Sequence, residues 1–281
     1  MDNKPQRLRQ LLKSRKSILL PVAHDALAAK IIEKIGFDAF SIGGLGMAAS
    51  QFGLPDIGIL TQGDFQPSVK NILSASALPA LVDGDTGYGN GESVRRLVRE
   101  YEALGAAAIF IEDQVWPKRC GHTGVKEVIP TEEMMAKIQA AVSVKTNPDL
   151  LIMARTDARS AFGNLEAAIG RARAYLKAGA EAIFIEAPQS IEEIKRIPKA
   201  LPNAILLINM MEGGKTPLCS QKDLEDWGYK IIAYPLTTTL TMMKSVKESL
   251  AHLKAAGTTN DYFLKNMASF EELKQLLEFP E

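Results

Sequence analysis

Short apolar runs recur along the chain, separated by longer amphipathic stretches. The runs predict strands at Ser17–Val22, Ala39–Ile42, Pro79–Val82, Ala106–Ile111, Leu150–Ala154, Ala182–Ile185, Ala204–Ile208 and Ile231–Ala233. The stretches between them predict helices near 25–36, 64–76, 91–104, 131–146, 163–179, 190–200 and 220–228, with an eighth at about 236–255. Thr131 with Glu133 reads as one helix start, and Ser190 followed three residues later by Glu193 resembles a capping box. The runs are continuously apolar rather than alternating, as strands of a parallel sheet covered on both faces must be. Eight strand–helix units in 281 residues fit an α/β fold of the (β/α)8 TIM-barrel type. The alternative is an open doubly wound sheet. Nothing supports it: Gly87-Tyr88-Gly89-Asn90-Gly91 lacks the dinucleotide-binding spacing, and no phosphate-binding loop motif is present. No linker or low-complexity segment interrupts the pattern, so residues 1–281 read as one domain with a helical extension at about 236–281. In that extension Leu264, Met267, Phe270, Leu273, Leu276 and Leu277 recur at helical spacing, which suggests packing on another surface such as a partner subunit.

Composition narrows the class. With 46% apolar residues the chain can bury a large core. Lys+Arg and Asp+Glu both number 33, a balance that gives no support for binding nucleic acid or an anionic membrane. The basic start, Lys4 to Lys16, precedes Ile18-Leu19-Leu20, but Pro21 and His24-Asp25 cut that run too short for a secretory signal. A short basic helix followed by the first strand is expected instead. No run approaches the ~20 apolar residues of a membrane span. Two cysteines, Cys120 and Cys219, are too few for a disulfide framework and suit the cytoplasm.

Chemistry concentrates where the predicted strands end, which in a barrel of this type is the active-site face. The strands are followed in order by His24-Asp25, Gly43-Gly44-Leu45-Gly46, Asp83-Gly84-Asp85, Glu112-Asp113, Arg155-Thr156-Asp157, Glu186, and Asn209 with Glu212 beyond. Several carboxylates against one arginine call for a cation. Asp83-Gly84-Asp85 is the best metal candidate, because hard oxygen ligands on a tight turn suit Mg²⁺ or Mn²⁺; thiolate- or histidine-rich zinc spacing is absent. Gly43 and Gly44 either present backbone N–H groups to an anion or form a plain turn. Arg155 reads either as a carboxylate clamp or as an ion pair with Asp157. Lys215, in Glu212-Gly213-Gly214-Lys215-Thr216-Pro217, either guards the mouth or sits on a solvated loop; Cys219 reads as packing.

The stretch from Ile109 to Gly124 is the densest in reactive groups. It runs from an apolar strand into Glu112-Asp113, then into a loop with Trp116, Lys118, Arg119, Cys120, Gly121 and His122. Beside Arg119 and His122, the Cys120 thiol is expected to have a lowered pKa. It reads equally as a nucleophile with His122 as its base or as a proton donor.

Lys118-Arg119-Cys120-Gly121-His122 resembles the signature loop of the lyase branch of the isocitrate lyase/phosphoenolpyruvate mutase superfamily. Asp83 to Gly89, Met153 to Ala158 and Asn209 to Gly214 agree with that family in order and spacing. The resemblance is to the 2-methylisocitrate and 2,3-dimethylmalate lyases; the phosphonate-forming mutases generally lack the cysteine. It implies Mg²⁺-dependent cleavage of a 2-hydroxy di- or tricarboxylate to pyruvate and a second acid. It also implies that Asp85 binds the metal most directly, with Asp56, Asp83, Glu112 and Glu186 in support, and that Ser41, Gly43, Gly44, Gly121, His122, Arg155 and Asn209 lie around the substrate. Catalysis would fall to Cys120 as proton donor, with Glu112, Arg155, His122 and Lys118 around it. The family further implies an eighth helix exchanged between subunits in a dimer of dimers. Two departures bear on substrate. No arginine follows Tyr234-Pro235-Leu236, where a third carboxylate would need one, and Ser41 stands where methylisocitrate lyases tend to have tyrosine. Both favour a 2-alkylmalate such as 2,3-dimethylmalate. Rival readings are oxaloacetate decarboxylation or hydrolysis, a carboxyphosphonoenolpyruvate-type mutase, and a barrel that binds dicarboxylates without turning them over.

Overall fold

The computed structural model describes residues 3–122, 124 and 126–280. Its elements follow in the order α1 (Lys4–Ser14), β1 (Ile18–Ala23), α2 (Ala26–Ile35), β2 (Phe40–Ile42), α3 (Gly44–Met47) running into a π-turn at Ala48–Phe52, α4 (Gln62–Ser74), β3 (Ala80–Asp83), α5 (Gly91–Ala103) and β4 (Ala108–Glu112). The second half continues α6 (Thr131–Val144), β5 (Leu151–Thr156), α7 (Ala158–Phe162), α8 (Leu165–Lys177), β6 (Ala182–Ile185), α9 (Ile191–Ala200), β7 (Ile205–Asn209), α10 (Gln221–Trp227), β8 (Ile231–Tyr234), α11 (Thr237–Ala256), α12 (Asn260–Asn266) and α13 (Phe270–Leu277). The strands close in sequence order, all parallel, with β1 returning to β8 through Ile18↔Ile231. This is the (β/α)8 barrel that the apolar runs predict.

Two apolar layers follow from the two-residue alternation of side chains along each strand. Leu81, Ala108, Phe110, Leu151, Met153, Ala182, Phe184, Leu207, Ile231 and Ala233 point inward and fill the barrel, where Phe110 and Phe184 meet edge to face at 6.0 Å. Helix α1 closes the N-terminal end with Leu8 and Leu12. The intervening residues, among them Val82, Ile109, Ile111, Ile152, Ala154, Ile183 and Ile208, point outward against the helices. Extending the inward series by one step on each strand reaches Ser41, Asp83, Glu112, Arg155, Glu186 and Asn209, at or just beyond the strand ends. One alternation therefore supplies both the barrel core and the polar mouth.

Several strands run slightly beyond their predicted ends, so that Asp83, Glu112, Arg155 and Asn209 are themselves strand residues; Glu112 pairs with Arg155 across β4 and β5. Helix starts differ from the sequence reading in two places. Thr131 is the first residue of α6 and makes no side-chain cap, the preceding position being Pro130. Ser190 does cap α9 by accepting from the Glu193 N–H, but Glu193 turns its carboxylate to the Gln189 N–H and to Arg159. The turn after Gly43 is helical rather than a simple loop.

At the C-terminal end, α11 leaves Met243, Val246, Leu250 and Leu253 exposed, and Leu264 and Phe270 are exposed beyond it. Among the described residues no helix is long and apolar enough to cross a membrane.

The turn after β3 has no spare room. A β-carbon at Gly84 would lie 2.7 Å from the Phe110 carbonyl oxygen and 2.9 Å from Leu97, and the Gly84 N–H already donates to that same oxygen at 2.8 Å. Gly84→Ala is expected to cost about 1–3 kcal/mol of stability by overpacking. Urea unfolding checks it, and an unchanged midpoint would refute the tight fit.

Candidate active site

Of the residues that the sequence singles out, Ser41, Gly43, Gly44, Asp56, Asp83, Lys118, Cys120, Gly121, His122, Arg155, Glu186 and Asn209 line one cavity at the C-terminal mouth. Asp85 and Glu112 stand behind its wall, at 2% and 1% exposure.

The acidic turn is built around Asp83. Its Oδ1 accepts the Asp85 N–H at 2.8 Å and its Oδ2 accepts the Gly44 N–H at 3.0 Å. The Gly44 donor is thus directed at Asp83, which joins the glycine turn to the acidic one, and is not presented to a ligand. Asp85 takes φ +54, a left-handed conformation rare outside glycine, while its carbonyl accepts the Glu112 N–H at 2.8 Å. Its carboxylate faces Lys118, whose Nζ lies 2.6 Å from Asp56 Oδ1 and 3.1 Å from Asp85 Oδ1. The Lys118 contact with Asp85 is close enough for an ion pair but lacks hydrogen-bond alignment, leaving Asp85 Oδ1 without a hydrogen-bond partner. Burial pushes Asp85 up to about 7, Lys118 opposing it and Asp83 and Asp56 adding to it. Burial would pull Lys118 down, but Asp85, Glu112, Asp56 and Asp83 outweigh it and hold the ammonium firmly charged.

Opposite lies Arg155, 8% exposed and stacked over Phe184 at 5.1 Å. It grips Asp157 in a fork, Nε to Oδ2 at 2.9 Å and Nη2 to Oδ1 at 3.1 Å. Its Nε also lies 3.1 Å from Glu112 Oε2, and its Nη1 3.3 Å from Glu186 Oε2. The ion pair with Asp157 is therefore present, and Arg155 lines the cavity as well. Glu112 is held well above the ordinary carboxylate range by burial, with Asp157 and Asp85 reinforcing the shift against Arg155 and Lys118. Glu186 goes the other way: burial would raise it, but Arg155 and His122 bring it down to about 2. The Asn209 amide donates to Glu186 at 3.3 Å, and the Ser41 hydroxyl donates to the Leu81 carbonyl at 2.9 Å.

The Cys120 loop closes over this floor. The Cys120 N–H donates to the Asp56 carbonyl at 3.2 Å, and Lys126 Nζ donates to the Gly121 carbonyl at 2.6 Å. The Gln114 amide brackets Arg119, accepting its N–H and donating to its carbonyl. His122 Nδ1 accepts the Lys215 N–H at 3.0 Å, which places the ring proton on Nε2, 3.0 Å from Glu186 Oε1. Nδ1 is taken by the Lys215 N–H, and Nε2 lies against Glu186 without hydrogen-bond alignment, so neither ring contact supplies the pairing with Cys120 as its base that the sequence suggests. The expected lowering of the Cys120 pKa is also reversed. Burial pushes the thiol up, and Asp56 and Glu186 add to it against the His122 N–H and Arg155. Arg119, by contrast, is exposed. Of the loop named from sequence, Thr123 lies outside the described residues.

Among the described residues no three His, Cys, Asp or Glu side chains converge as a ready-made metal cluster. The oxygens nonetheless fit a hard divalent ion. Asp85 Oδ1 and Glu112 Oε1 are buried without hydrogen-bond partners, and such an ion takes one or two protein carboxylates and completes its shell with water. Three residues of this site were given no place by the sequence reading, Gln114, Lys126 and Tyr88, whose hydroxyl donates to Asp85 at 3.3 Å, and Asp113, named at the end of β4, was given no role. Only their tertiary partners reveal them.

Comparison with known proteins agrees with this geometry. The family model described as phosphoenolpyruvate phosphomutase matches residues 8–254. A 2,3-dimethylmalate lyase of Eubacterium barkeri is 43% identical, covering 98% of this chain and 94% of its own. A protein named probable 2-methylisocitrate lyase 1 of Corynebacterium glutamicum is also 43% identical, covering 92% and 84%. Among solved structures, a 2,3-dimethylmalate lyase superposes with a TM-score of 0.90 at 33% identity, covering 98% of this chain and 92% of the other. Oxaloacetate acetylhydrolase with 3,3-difluorooxalacetate gives 0.90 at 30%, with the same coverage. Phosphonopyruvate hydrolase with oxalate and Mg²⁺ gives 0.88 at 28%, covering 98% and 95%. A barrel of the same shape, matched over nearly its whole length by lyases of this kind, makes the chain a member of the phosphoenolpyruvate mutase/isocitrate lyase family of enzymes.

Proposed function

We propose that the protein is a carbon–carbon lyase that cleaves a 2-hydroxy dicarboxylate, with 2,3-dimethylmalate or another 2-alkylmalate the preferred substrate over 2-methylisocitrate. The observation that carries the reading is the half-buried thiol of Cys120, set in a cavity shared with Arg155 and Glu186 and with its pKa pushed up by desolvation. A thiol whose pKa is raised stays neutral at physiological pH, as a proton donor must and a resting thiolate nucleophile must not.

Mg²⁺ or Mn²⁺ would be held by Asp85, with Asp56, Asp83, Glu112 and Glu186 around it; bound there, it supplies a positive charge that favours ionisation of the substrate's 2-hydroxyl. Mg²⁺ accompanies oxalate in the phosphonopyruvate hydrolase neighbour, which supports that choice. Arg155 holds a substrate carboxylate from its Nη side while Asp157 fixes the other edge of the fork. Ser41, Gly43, Gly44 and Asn209 line the substrate's remaining edge, with Gly121 and His122 above it. Glu112 would take up the hydroxyl proton in its ionised form, whose basicity burial raises. The C2–C3 bond then breaks, its electrons pass to the departing acid as an enolate, and pyruvate forms. Cys120 gives its proton to that carbon, so the proton lost from oxygen is matched by one gained at carbon. Lys118 balances the charge of Asp56 and Asp85.

Leu45, Met211, Pro235 and Leu236 also line the cavity, and apolar lining of this kind suits alkyl groups better than a third carboxylate. The free cysteines suit a reducing cytoplasm. We assign the exposed apolar side of α11 to exchange with a partner subunit, in a dimer of dimers. A groove lined by Leu19, Leu27, Ile31, Ile35 and Met242 lies beside it on the same chain.

Pyruvate release from 2,3-dimethylmalate, 2-methylisocitrate and oxaloacetate, with Mg²⁺ or with EDTA, tests the reading. Release should be fastest from the alkylmalate and be abolished by EDTA. Pyruvate from none of them would indicate a binding barrel, and turnover of oxaloacetate alone would indicate a hydrolase or decarboxylase.

Cys120→Ser should lose about 10²–10⁴-fold in turnover while pyruvate still binds with Mg²⁺. Because the thiol pKa is raised, its acid form persists through neutral pH and is depleted only as pH rises past the ordinary thiol range. The wild-type rate should therefore fall on that alkaline side, and a rate unchanged in the variant would remove Cys120 from the mechanism. Val246→Asp, placing a charge on the exposed face of α11, should convert the oligomer to a monomer in sedimentation velocity. A monomeric wild type would overturn the subunit assignment.

A further inference from the structure

Immediately after Glu112 the chain turns a carboxylate the opposite way. Asp113 continues the outward series of Ile109 and Ile111, and is wholly buried between the barrel and helix α8. Its two predecessors on that face are aliphatic, so burial alone does not call for an acid there. The carboxylate takes four donors. Oδ1 accepts the Asp157 N–H at 2.9 Å. Oδ2 accepts the Thr156 hydroxyl at 2.7 Å, the Tyr175 hydroxyl at 2.7 Å and Arg171 Nη1 at 3.2 Å. Arg171 and Tyr175 are one turn apart on α8 and also bond each other at 3.0 Å, and Arg171 Nη1 reaches the Ile129 carbonyl at 2.9 Å.

The ladder between β4 and β5 ends at Glu112↔Arg155, so Asp113 lies beyond what closes the barrel. What it fixes is the residue that grips Arg155. The Asp157 N–H is held from outside by Asp113, while the Asp157 carboxylate forks Arg155 Nε and Nη2 on the inside. Asp157 cannot shift without leaving its own buried N–H unpaired.

We propose that Asp113 is a positioning residue for Arg155, fixing from the helix layer the orientation in which the guanidinium meets a substrate carboxylate. The proposal rests on the lyase reading for what Arg155 binds, but not for how Arg155 is held. A displacement of about 1 Å in such a clamp is enough to cost up to about 100-fold.

The test uses Asp113→Asn, Arg155→Lys, the double variant, and Ile111→Val as a control that loosens the same face without touching the network. In pyruvate release from 2,3-dimethylmalate, Asp113→Asn should lower kcat/KM by about tenfold, mostly through KM. In the Arg155→Lys background the same substitution should add less than about twofold, because the two act through one contact. Ile111→Val should lower the melting temperature and leave both constants unchanged. The second readout needs no substrate. The Arg155 Nε–H resonance in the ¹⁵N spectrum, assigned by its loss in Arg155→Lys, should be slow to exchange in the wild type and shift or broaden in Asp113→Asn. Should that variant fail to fold, Thr156→Val, which removes one donor from Asp113, is read by the same resonance and should shift it less. An unmoved resonance, or additive losses in the double variant, overturns the proposal. If no hydroxy acid is cleaved at all, the lyase reading fails while the resonance still decides the role of Asp113.

Discussion

Charge balance inside the barrel mouth governs this structure. Asp56, Asp83, Asp85, Glu112, Asp157 and Glu186 converge there, with Lys118 and Arg155 among them as permanent cations. A buried carboxylate is tolerated only when it is paired, hydrogen-bonded or neutralised. The site uses all three routes. Glu186 is paired with Arg155 and His122 and stays ionised. Asp83 is absorbed by two backbone N–H groups. Asp85 and Glu112 are held up by burial and each leaves one oxygen without a hydrogen-bond partner. Those two are where an added positive charge would relieve the most.

The barrel itself was legible in the sequence because parallel strands covered on both faces carry no polar positions. The strand ends were legible for the complementary reason. Where the inward series leaves the apolar interior, its next member must be polar, so Asp83, Glu112, Arg155, Glu186 and Asn209 mark the mouth without any knowledge of contacts. What stayed hidden is whatever depends on direction. Arg119 and His122 flank Cys120 in sequence, which suggested a lowered pKa, but Arg119 is exposed and the ring of His122 serves Lys215 and Glu186. Adjacent in sequence, Glu112 and Asp113 face opposite layers, one toward the mouth and one toward α8. Asp56 could be assigned only by resemblance, since no strand leads into it and its partner Lys118 is distant in sequence.

Closure of the Cys120 loop depends on the same balance. The loop brings Lys118 to the acids and takes its own hold from Asp56, once through the carboxylate and once through the carbonyl that receives the Cys120 N–H. On its far side His122 reaches the Lys215 backbone, tying it to the loop after β7. Two glycines provide the clearance. A β-carbon at Gly121 would lie 2.5 Å from Glu186 Cγ and 2.7 Å from Arg155 Nη2, and one at Gly214 would lie 2.8 Å from the His122 ring. These contacts are closer than any side chain sustains, so the loop can lie directly on the charged floor only with glycine at both places. Proximity to that floor is also what raises the thiol. The Cys120 loop shields the site from water, adds the anionic fields of Asp56 and Glu186, and keeps the sulfur protonated. Closure and the acid form of Cys120 are thus two consequences of one packing arrangement.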